Sequence, residues 1–160
     1  MDASPRVTES FRQQHSEIHE HLTHIDGMAG NLDGQSAGMQ RETMARIVRA
    51  FKTHILAHAV AEERFLYPAI DRLAGVGVAG STFTSSMRYE HRVVERWISE
   101  LERMSATSSP DAAAFARRAD NLLGLIHAHF EEEEEVLLPI LEAKMTPEQF
   151  QKEIMNHMVH

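Results

Sequence analysis

Apolar residues recur every three or four positions along four long stretches of this 160-residue chain, and no stretch shows the two-residue alternation of a half-buried strand. Such spacing places the apolar side chains on one face of a helix. Joints rich in glycine or serine, at 27–38, 73–81 and 105–111, separate the stretches. The pattern predicts an all-α protein, an up-down-up-down four-helix bundle in which the four apolar faces form the core.

The predicted core comes from all four helices. It comprises Phe11, Ile18, Leu22 and Ile25 in the first helix, Met44, Ile47, Phe51, Phe65, Leu66, Ile70 and Leu73 in the second, Met87, Val94, Ile98 and Leu101 in the third, and Phe115, Leu122, Ile126, Val136, Leu137, Ile140 and Leu141 in the fourth. A chain of this length can bury such a core as one domain. We therefore interpret 1–160 as a single domain, with the bundle at about 8–144 and a C-terminal helix within 145–160.

The C-terminal segment carries its own start signal. The sequence TPEQF has the spacing of a capping box, with proline in the first helical position. A short fifth helix is predicted from there, with Phe150, Ile154 and Met158 on one apolar stripe. That stripe packs either on the bundle or on another subunit, so the C-terminal helix is also a candidate homodimer interface.

Charge and composition limit the partners. The net charge is −8 and the largest basic cluster is Arg117-Arg118, so a nucleic-acid-binding surface is not expected. No apolar run approaches the roughly 20 residues of a membrane span, and the polar start MDASPRVTES does not resemble a signal peptide. The lack of cysteine excludes disulfides, thiol catalysis and iron–sulfur clusters. We expect a cytoplasmic protein that binds neither nucleic acid nor membrane.

The two halves of the chain repeat a pattern of histidine and glutamate. The segment FRQQHSEIHEHLTHI aligns with MRYEHRVVERWISEL, and each contributes one histidine at the same place. The segment HAVAEERFLYP aligns with HFEEEEEVLLP, where the prolines coincide and each segment contributes a histidine and a glutamate. The pairs that result are His15 with His91, His58 with His129, and Glu62 with Glu133.

All six residues of the repeat continue the apolar faces of their helices. A histidine and a glutamate four positions apart lie on one face and can reach the same point. Burying a polar group without a partner costs roughly 2–7 kcal/mol, and an unpaired charge costs more. A pair of divalent cations would satisfy the whole set, because carboxylates can bridge two ions while imidazoles bind each one.

Further residues flank this set. His19 and Glu95 match each other, one turn beyond the first histidine of each half, and are either ligands, pocket residues or surface residues. His54 lies one turn before the second-helix histidine and is expected to line the pocket or contact a ligand. Glu134 competes with the preceding glutamate as the fourth-helix carboxylate, whereas Tyr67 has only a weak case for a pocket role.

The repeated pattern, a histidine followed by His-x3-Glu-Glu with Tyr-Pro or Leu-Pro, resembles the hemerythrin-like domain, or HHE cation-binding family, over about residues 8–144. That family holds a non-haem di-iron centre in a four-helix bundle. The resemblance implies two iron ions with carboxylate and oxo or hydroxo bridges; the same ligand types also accept zinc or manganese. The implied terminal ligands are His15, His58, His91 and His129, and the implied bridging carboxylates are Glu62 and Glu133.

The ligand pattern departs from that of the family's animal oxygen carriers. Those proteins place a second histidine on the third helix where this chain has Glu95, while His19 is extra on the first helix. The chain is more similar to bacterial single-domain members with diverse activities. We expect it to bind dioxygen or a related small ligand, peroxide or nitric oxide, for storage, sensing or detoxification. A non-enzymatic metal-binding or iron-sensing module is the alternative, and no catalytic acid–base set is identified, so enzymatic activity stays open.

Overall fold

The computed structural model describes residues 6–75 and 81–158, and throughout these ranges the chain forms helices and turns without a strand. The elements are α1 (Glu9–Gly30), a 3₁₀ turn (Leu32–Gly34), α2 (37–74), α3 (Ser85–Ser105), α4 (112–144), α5 (Pro147–Glu153) and a second 3₁₀ turn (Met155–His157). The first four helices pack in a ring, in which α1 and α3 each contact both α2 and α4. The predicted four-helix bundle with a short fifth helix is confirmed.

The two helices that carry His-x3-Glu-Glu are interrupted by π-helical turns at Glu62–Leu66 and Glu133–Leu137. In the first turn the backbone N–H of Tyr67 donates to the carbonyl of Glu62, five residues back. Pro68 follows at once, and a proline has no N–H and crowds the carbonyl four residues before it. A widened turn accommodates that ring, so the proline of each repeat accounts for the wide turn beside each inward glutamate.

These wide turns make part of the predicted core wrong. A π turn carries one more residue than an α turn, so the inward face moves on by one position. Phe65 is therefore only half-buried and Val136 is 49% exposed, although both were predicted as core residues. Tyr67 and Leu138 are fully buried in their place. Leu73 and Ile140 lie at the edge of the core, and the other predicted core residues are buried.

The buried apolar residues form two clusters, one toward each end of the bundle. On α1, Phe11 belongs to one cluster and Ile18 to the other, with the buried His15 between them. On each of the three other long helices, the buried histidine likewise lies between residues of the two clusters. The bundle therefore holds a polar layer between two apolar cores.

The C-terminal segment closes one end of the bundle. Thr146 and Gln149 form the predicted capping box, since each side chain accepts a hydrogen bond from the backbone N–H of the other. Phe150, Ile154 and Met158 are buried within the cluster that contains Phe11. This stripe is therefore covered by the chain's own bundle, and a homodimer through the C-terminal helix stays a prediction.

Within residues 6–75 and 81–158, no helix combines the length and apolar character that crossing a membrane requires.

Candidate metal centre

The polar layer contains the six residues of the sequence repeat. One histidine comes from α1, one from α3, and a histidine with a glutamate from each of α2 and α4. All are buried, with exposures from 0% to 8%. The structure thus brings together His15, His58, Glu62, His91, His129 and Glu133.

Glu62 lies at the junction of two groups of potential ligands. Its Oε1 is 2.7 Å from Nε2 of His58 and 3.6 Å from Nε2 of His15. Its Oε2 is 3.2 Å from Nε2 of His91. The two oxygens of one carboxylate therefore face histidines of different halves of the chain, as a bridging ligand would.

Glu133 makes the matching contacts from α4. Its Oε2 is 3.2 Å from Nε2 of His15, and its Oε1 is 3.5 Å from Nε2 of His129. Two overlapping groups result, in which every ligand atom lies within 4.8 Å of the others in its group. One group contains His15, His58 and Glu62, and the other contains Glu62, His91, His129 and Glu133.

The layer fits divalent cations better than it fits internal hydrogen bonds. Nε2 of His15 lies 3.2 Å from Oε2 of Glu133 and 3.6 Å from Oε1 of Glu62, yet none of these three buried atoms makes a hydrogen bond of good geometry within the described parts of the chain. Nε2 of His91 is 3.0 Å from Nε2 of His129. Two nitrogens bound at right angles to one ion at about 2.1 Å would also lie about 3.0 Å apart. This set of histidines and glutamates can therefore hold metal ions.

Glutamates outside the layer contact the outer ring nitrogens of three histidines. Nδ1 of His15 is 2.9 Å from Oε1 of Glu134, and Nδ1 of His91 is 3.0 Å from Oε1 of Glu63. Nδ1 of His129 is 2.7 Å from a carboxylate oxygen of a third glutamate, Glu90. A proton held at Nδ1 leaves the lone pair of Nε2 directed at the layer, the arrangement usual for metal-binding imidazoles.

These contacts revise the sequence-based interpretation. Glu134, a rival for the inward carboxylate, lies on the outer side of His15 and not within the central set. Glu63 and Glu90 were not predicted as site residues. Glu63 could have been found, because it occupies in the first half the position that Glu134 occupies in the second. Glu90 has Gln14 as its repeat partner, so the repeat gave no signal for it.

Tyr67 is a site residue for which the sequence made only a weak case. Its hydroxyl donates to Oε1 of Glu133 at 2.6 Å and lies 3.1 Å from Nε2 of His91 and 3.4 Å from Nε2 of His129. The π turn that starts at Glu62 rotates this side chain into the layer. The equivalent residue of the second half is Leu138, so the repeat could not mark it.

The electrostatics of the layer favour ionised carboxylates. Burial raises the pKa of Glu62, but His58, His15 and His91 together hold it well below the usual value of 4.5. Burial lowers the pKa of His15, but the adjacent carboxylates, chiefly that of Glu133, raise it well above 6.5.

The same effects act on neighbouring groups. Burial lowers the pKa of His129, but its bond to Glu90 and the nearby carboxylates raise it above 6.5. Hydrogen bonding to His15 lowers the pKa of Glu134. Burial, and then the charges of nearby carboxylates, raise the pKa of Tyr67, so its hydroxyl stays protonated in the metal-free protein. In the metal-free protein, the raised pKa values of His15 and His129 favour protons on these two rings, which offset part of the buried negative charge.

The other flanking candidates lie outside the layer. The ring of His19 stacks on that of His127, with centroids 5.0 Å apart, and burial lowers the pKa of His19. His54 stacks on His21, with centroids 3.6 Å apart, in a cleft that His58 also lines. Glu95 is exposed and lines a second cleft, together with Glu63 and His91. These residues border the approaches to the layer.

Comparison with known proteins agrees with this geometry. The sequence model of the family described as Hemerythrin HHE cation binding domain matches residues 6–141. The chain is also similar to an uncharacterized hemerythrin-like protein of Schizosaccharomyces pombe, with 27% identity over 108 residues, which are 68% of this chain and 50% of that protein. The chain thus spans about half the length of this curated relative. No solved structure matches the chain significantly.

Proposed function

This chain belongs to the hemerythrin HHE cation-binding domain family, and from that premise we propose that it is a non-haem di-iron protein that binds dioxygen or a related small ligand. Peroxide and nitric oxide are the related ligands considered, and storage, sensing or detoxification the roles. The observation that carries the proposal is the buried layer in which two groups of histidines share Glu62. Two ions bridged by carboxylates would satisfy every buried charge of that layer.

The residues divide naturally between two metal positions. His15 and His58 would bind one ion, and His91 and His129 the other, because these pairs belong to separate ligand groups. Glu62 and Glu133 would bridge the two positions. Glu62 lies 2.7 Å from His58 and 3.2 Å from His91, and Glu133 lies 3.2 Å from His15 and 3.5 Å from His129. When bound, an iron pair supplies open coordination positions and electrons for a small oxidising ligand.

Aromatic side chains control the surroundings of the layer. The ring of Phe130 stacks on His15, with centroids 4.1 Å apart, and Phe11 packs edge-on to the same histidine at 4.5 Å. These rings cover the His15 side of one metal position with apolar surface. Tyr67 holds a proton at Oη beside the other position, where it can donate a hydrogen bond to a bound oxygen-containing ligand. The two positions therefore differ in polarity.

Access to the layer favours a small ligand. One cleft reaches His58 between α1 and α2, and another reaches His91 between α2 and α3. His58 is 1% exposed and His91 is 8% exposed, so a bulky substrate has no contact surface at either nitrogen. Diatomic molecules and peroxide are of a size that fits such openings.

The alternative, an iron-sensing or metal-binding module without turnover, is favoured by one observation. Buried atoms of His15, Glu62 and Glu133 lack hydrogen bonds of good geometry within the described residues, so metal occupancy should change the stability of the bundle itself. A partner could read that change. The two functions share the same metal centre and differ only in what the occupied centre does.

Oxygen-dependent spectroscopy tests the proposal. Protein loaded with ferrous iron under anaerobic conditions should develop a near-ultraviolet charge-transfer absorption on exposure to air. Reversal under vacuum would indicate storage or sensing, and rapid loss of added peroxide would indicate detoxification. A loaded protein whose spectrum is unchanged by air, peroxide and nitric oxide would contradict small-ligand binding and leave the metal-sensing alternative. Zinc-loaded protein is the control, because zinc has no redox chemistry.

A further inference from the structure

Beyond the metal ligands, the repeat continues into a second set of contacts. In each half, a threonine begins a helix, an arginine follows four residues later, and the layer histidine three residues after that. Two acidic residues of the other half, one and nine positions after the inward glutamate, complete the set. The first copy consists of Thr8, Arg12, His15, Glu134 and Glu142, and the second of Thr84, Arg88, His91, Glu63 and Asp71.

The first copy joins α1 to α4. Nη2 of Arg12 donates to the backbone carbonyl of Glu134 at 3.0 Å, and Nη1 lies 3.4 Å from its Oε2. The other carboxylate oxygen of Glu134 accepts from Nδ1 of His15 at 2.9 Å. The guanidinium also donates to Glu142 at 3.3 Å and to Thr8 at 3.3 Å, and Thr8 donates to Glu142.

The second copy joins α3 to α2 in the same way. Nη1 of Arg88 donates to the backbone carbonyl of Glu63 at 3.4 Å and lies 3.9 Å from its Oε2. Oε1 of Glu63 accepts from Nδ1 of His91 at 3.0 Å. Nη2 of Arg88 is 3.6 Å from Asp71, Nε donates to Thr84 at 3.2 Å, and Thr84 donates to Asp71 at 3.0 Å.

Helix packing alone does not require this arrangement. Exposed ion pairs contribute little to stability, and packing would be served by any arginine near any carboxylate. Here each glutamate lies between an arginine and a buried histidine: one carboxylate oxygen faces the arginine, at 3.4 Å in the first copy and 3.9 Å in the second, and the other accepts from the histidine. Each glutamate also belongs to the half of the chain opposite to its histidine. The same five positions of the repeat therefore make equivalent contacts twice, once between α1 and α4 and once between α3 and α2.

We propose that Arg12–Glu134–His15 and Arg88–Glu63–His91 are two equivalent positioning relays for the metal centre. The glutamate keeps the proton of its histidine at Nδ1, so that Nε2 presents a lone pair to the ion. The arginine fixes the glutamate by contacting both its backbone and its carboxylate, which keeps that carboxylate from turning inward as a ligand. The relays explain why, in each Glu-Glu pair, the first residue enters the layer and the second stays outside. The inference rests on metal binding by the proposed centre but not on iron or on any small ligand.

Metal titration of relay variants tests the proposal. The metal-free protein, prepared by dialysis against chelator, is titrated with Co²⁺ in a calorimeter. E134Q and E63Q should each weaken binding by roughly 10–100-fold, the usual effect of removing such a partner of a metal-binding histidine. R12Q and R88Q should weaken it in the same direction by less.

Combined variants separate a relay from independent contacts. Because the arginine acts through the glutamate, R12Q/E134Q should bind Co²⁺ no more weakly than E134Q alone. E134Q/E63Q should show the product of the two single effects, since the relays contact different histidines. If the fold-changes of R12Q and E134Q multiply instead, the arginine acts separately and the relay is overturned.

Matched controls and a second readout identify a positioning role. E135Q and R96Q change exposed residues of the same types, and Arg96 lies outside the cleft that His91 and Glu63 line; both variants should bind Co²⁺ as the parent chain does. The visible Co²⁺ spectrum should shift in E134Q and E63Q but not in R96Q; a purely structural role of the two glutamates would leave the spectrum unchanged. Circular dichroism of each metal-free variant verifies that it is folded. If a glutamate variant does not fold, the arginine variants still test the relay.

The outcomes distinguish two failures. If the parent chain binds no divalent ion, the proposed function fails. If the parent binds two ions while E134Q and E63Q match it within about twofold, the metal centre stands and the relays are wrong.

Discussion

Replacement of the shared carboxylate should remove the metal-dependent part of the protein's stability. Glu62 is 1% exposed, and its oxygens lie 2.7 Å from His58 and 3.2 Å from His91. It belongs to both ligand groups, so Glu62→Ala would remove a ligand from both metal positions of the proposed centre. No other described carboxylate lies in both groups.

The magnitude follows from linkage between binding and folding. A metal present at 1,000 times its dissociation constant stabilises the folded state by about 4.1 kcal/mol for one site. For a protein of this size, each kcal/mol shifts the melting temperature by roughly 2–4 °C. Addition of metal should therefore raise the melting temperature of the parent chain by roughly 8–16 °C per site at that excess. In Glu62→Ala the rise should vanish.

The assay is thermal unfolding with and without metal, so each variant serves as its own reference and damage to the metal-free fold cancels. Glu132→Ala is the matched control, because Glu132 lies in the same acidic run and outside both ligand groups. It should keep the full metal-dependent rise. Equal losses in the two variants, or a full rise in Glu62→Ala, would refute the assignment of the inward face.

Two further predictions concern the metal-free protein, prepared with chelator. Tyr67→Phe removes the 2.6 Å hydrogen bond to Oε1 of Glu133 and should lower the free energy of unfolding, measured in urea, by about 1.5–3 kcal/mol. Tyr89→Phe on the exposed face should leave it almost unchanged, and equal stabilities of the two variants would show that the Tyr67 hydroxyl is not bonded. The pKa of Glu62 is lowered, so its contribution to the free energy of unfolding is present above the usual glutamate pKa of 4.5 and is lost as pH falls. The pKa values of His15 and His129 are raised, so their contribution is present below 6.5 and is lost as pH rises through the raised values. Urea unfolding across pH should therefore show greatest stability between about 4.5 and 6.5, and a maximum above pH 8 would contradict these directions.

The sequence was sufficient for the helices and the central residues because both leave periodic signals. Apolar spacing identified four of the five helices, and the capping box identified the fifth. The repeat identified His15 and His91 as site residues. A single histidine within a core pattern would not have been identified in this way. Register with the two prolines separated Glu133 from its acidic neighbours, and the structure places that residue, at 0% exposure, in the layer.

The sequence failed where one turn of helix departs from regular geometry. Phe65 and Val136 were placed inward by an uninterrupted 3.6-residue period, and the π turns move both outward. The first of these turns also carries Tyr67 into the layer, so the two π turns account for both the wrong core residues and the missed site residue. Each proline was visible in the sequence, but its effect on the preceding turn was not taken into account.

The outer carboxylates were missed for a different reason. Glu63 and Glu90 reach histidines on other helices, and contacts between helices depend on rotation and rise that helical spacing does not determine. Glu134 was considered as a ligand or a pocket residue, but not as a partner of Arg12, which precedes His15 by three residues just as Arg88 precedes His91. Extending the repeat from the histidines to the arginines would have indicated the outer contacts.

The metal content of the purified protein decides whether the buried layer is a di-iron centre. The chain is purified without chelator from cells grown in iron-supplemented medium, and its metals are quantified by mass spectrometry against protein concentration. We expect about two iron ions per parent chain, none in Glu62→Ala, and two in Glu132→Ala. A folded parent chain that contains no metal, and takes up none from added ferrous iron, would contradict this expectation.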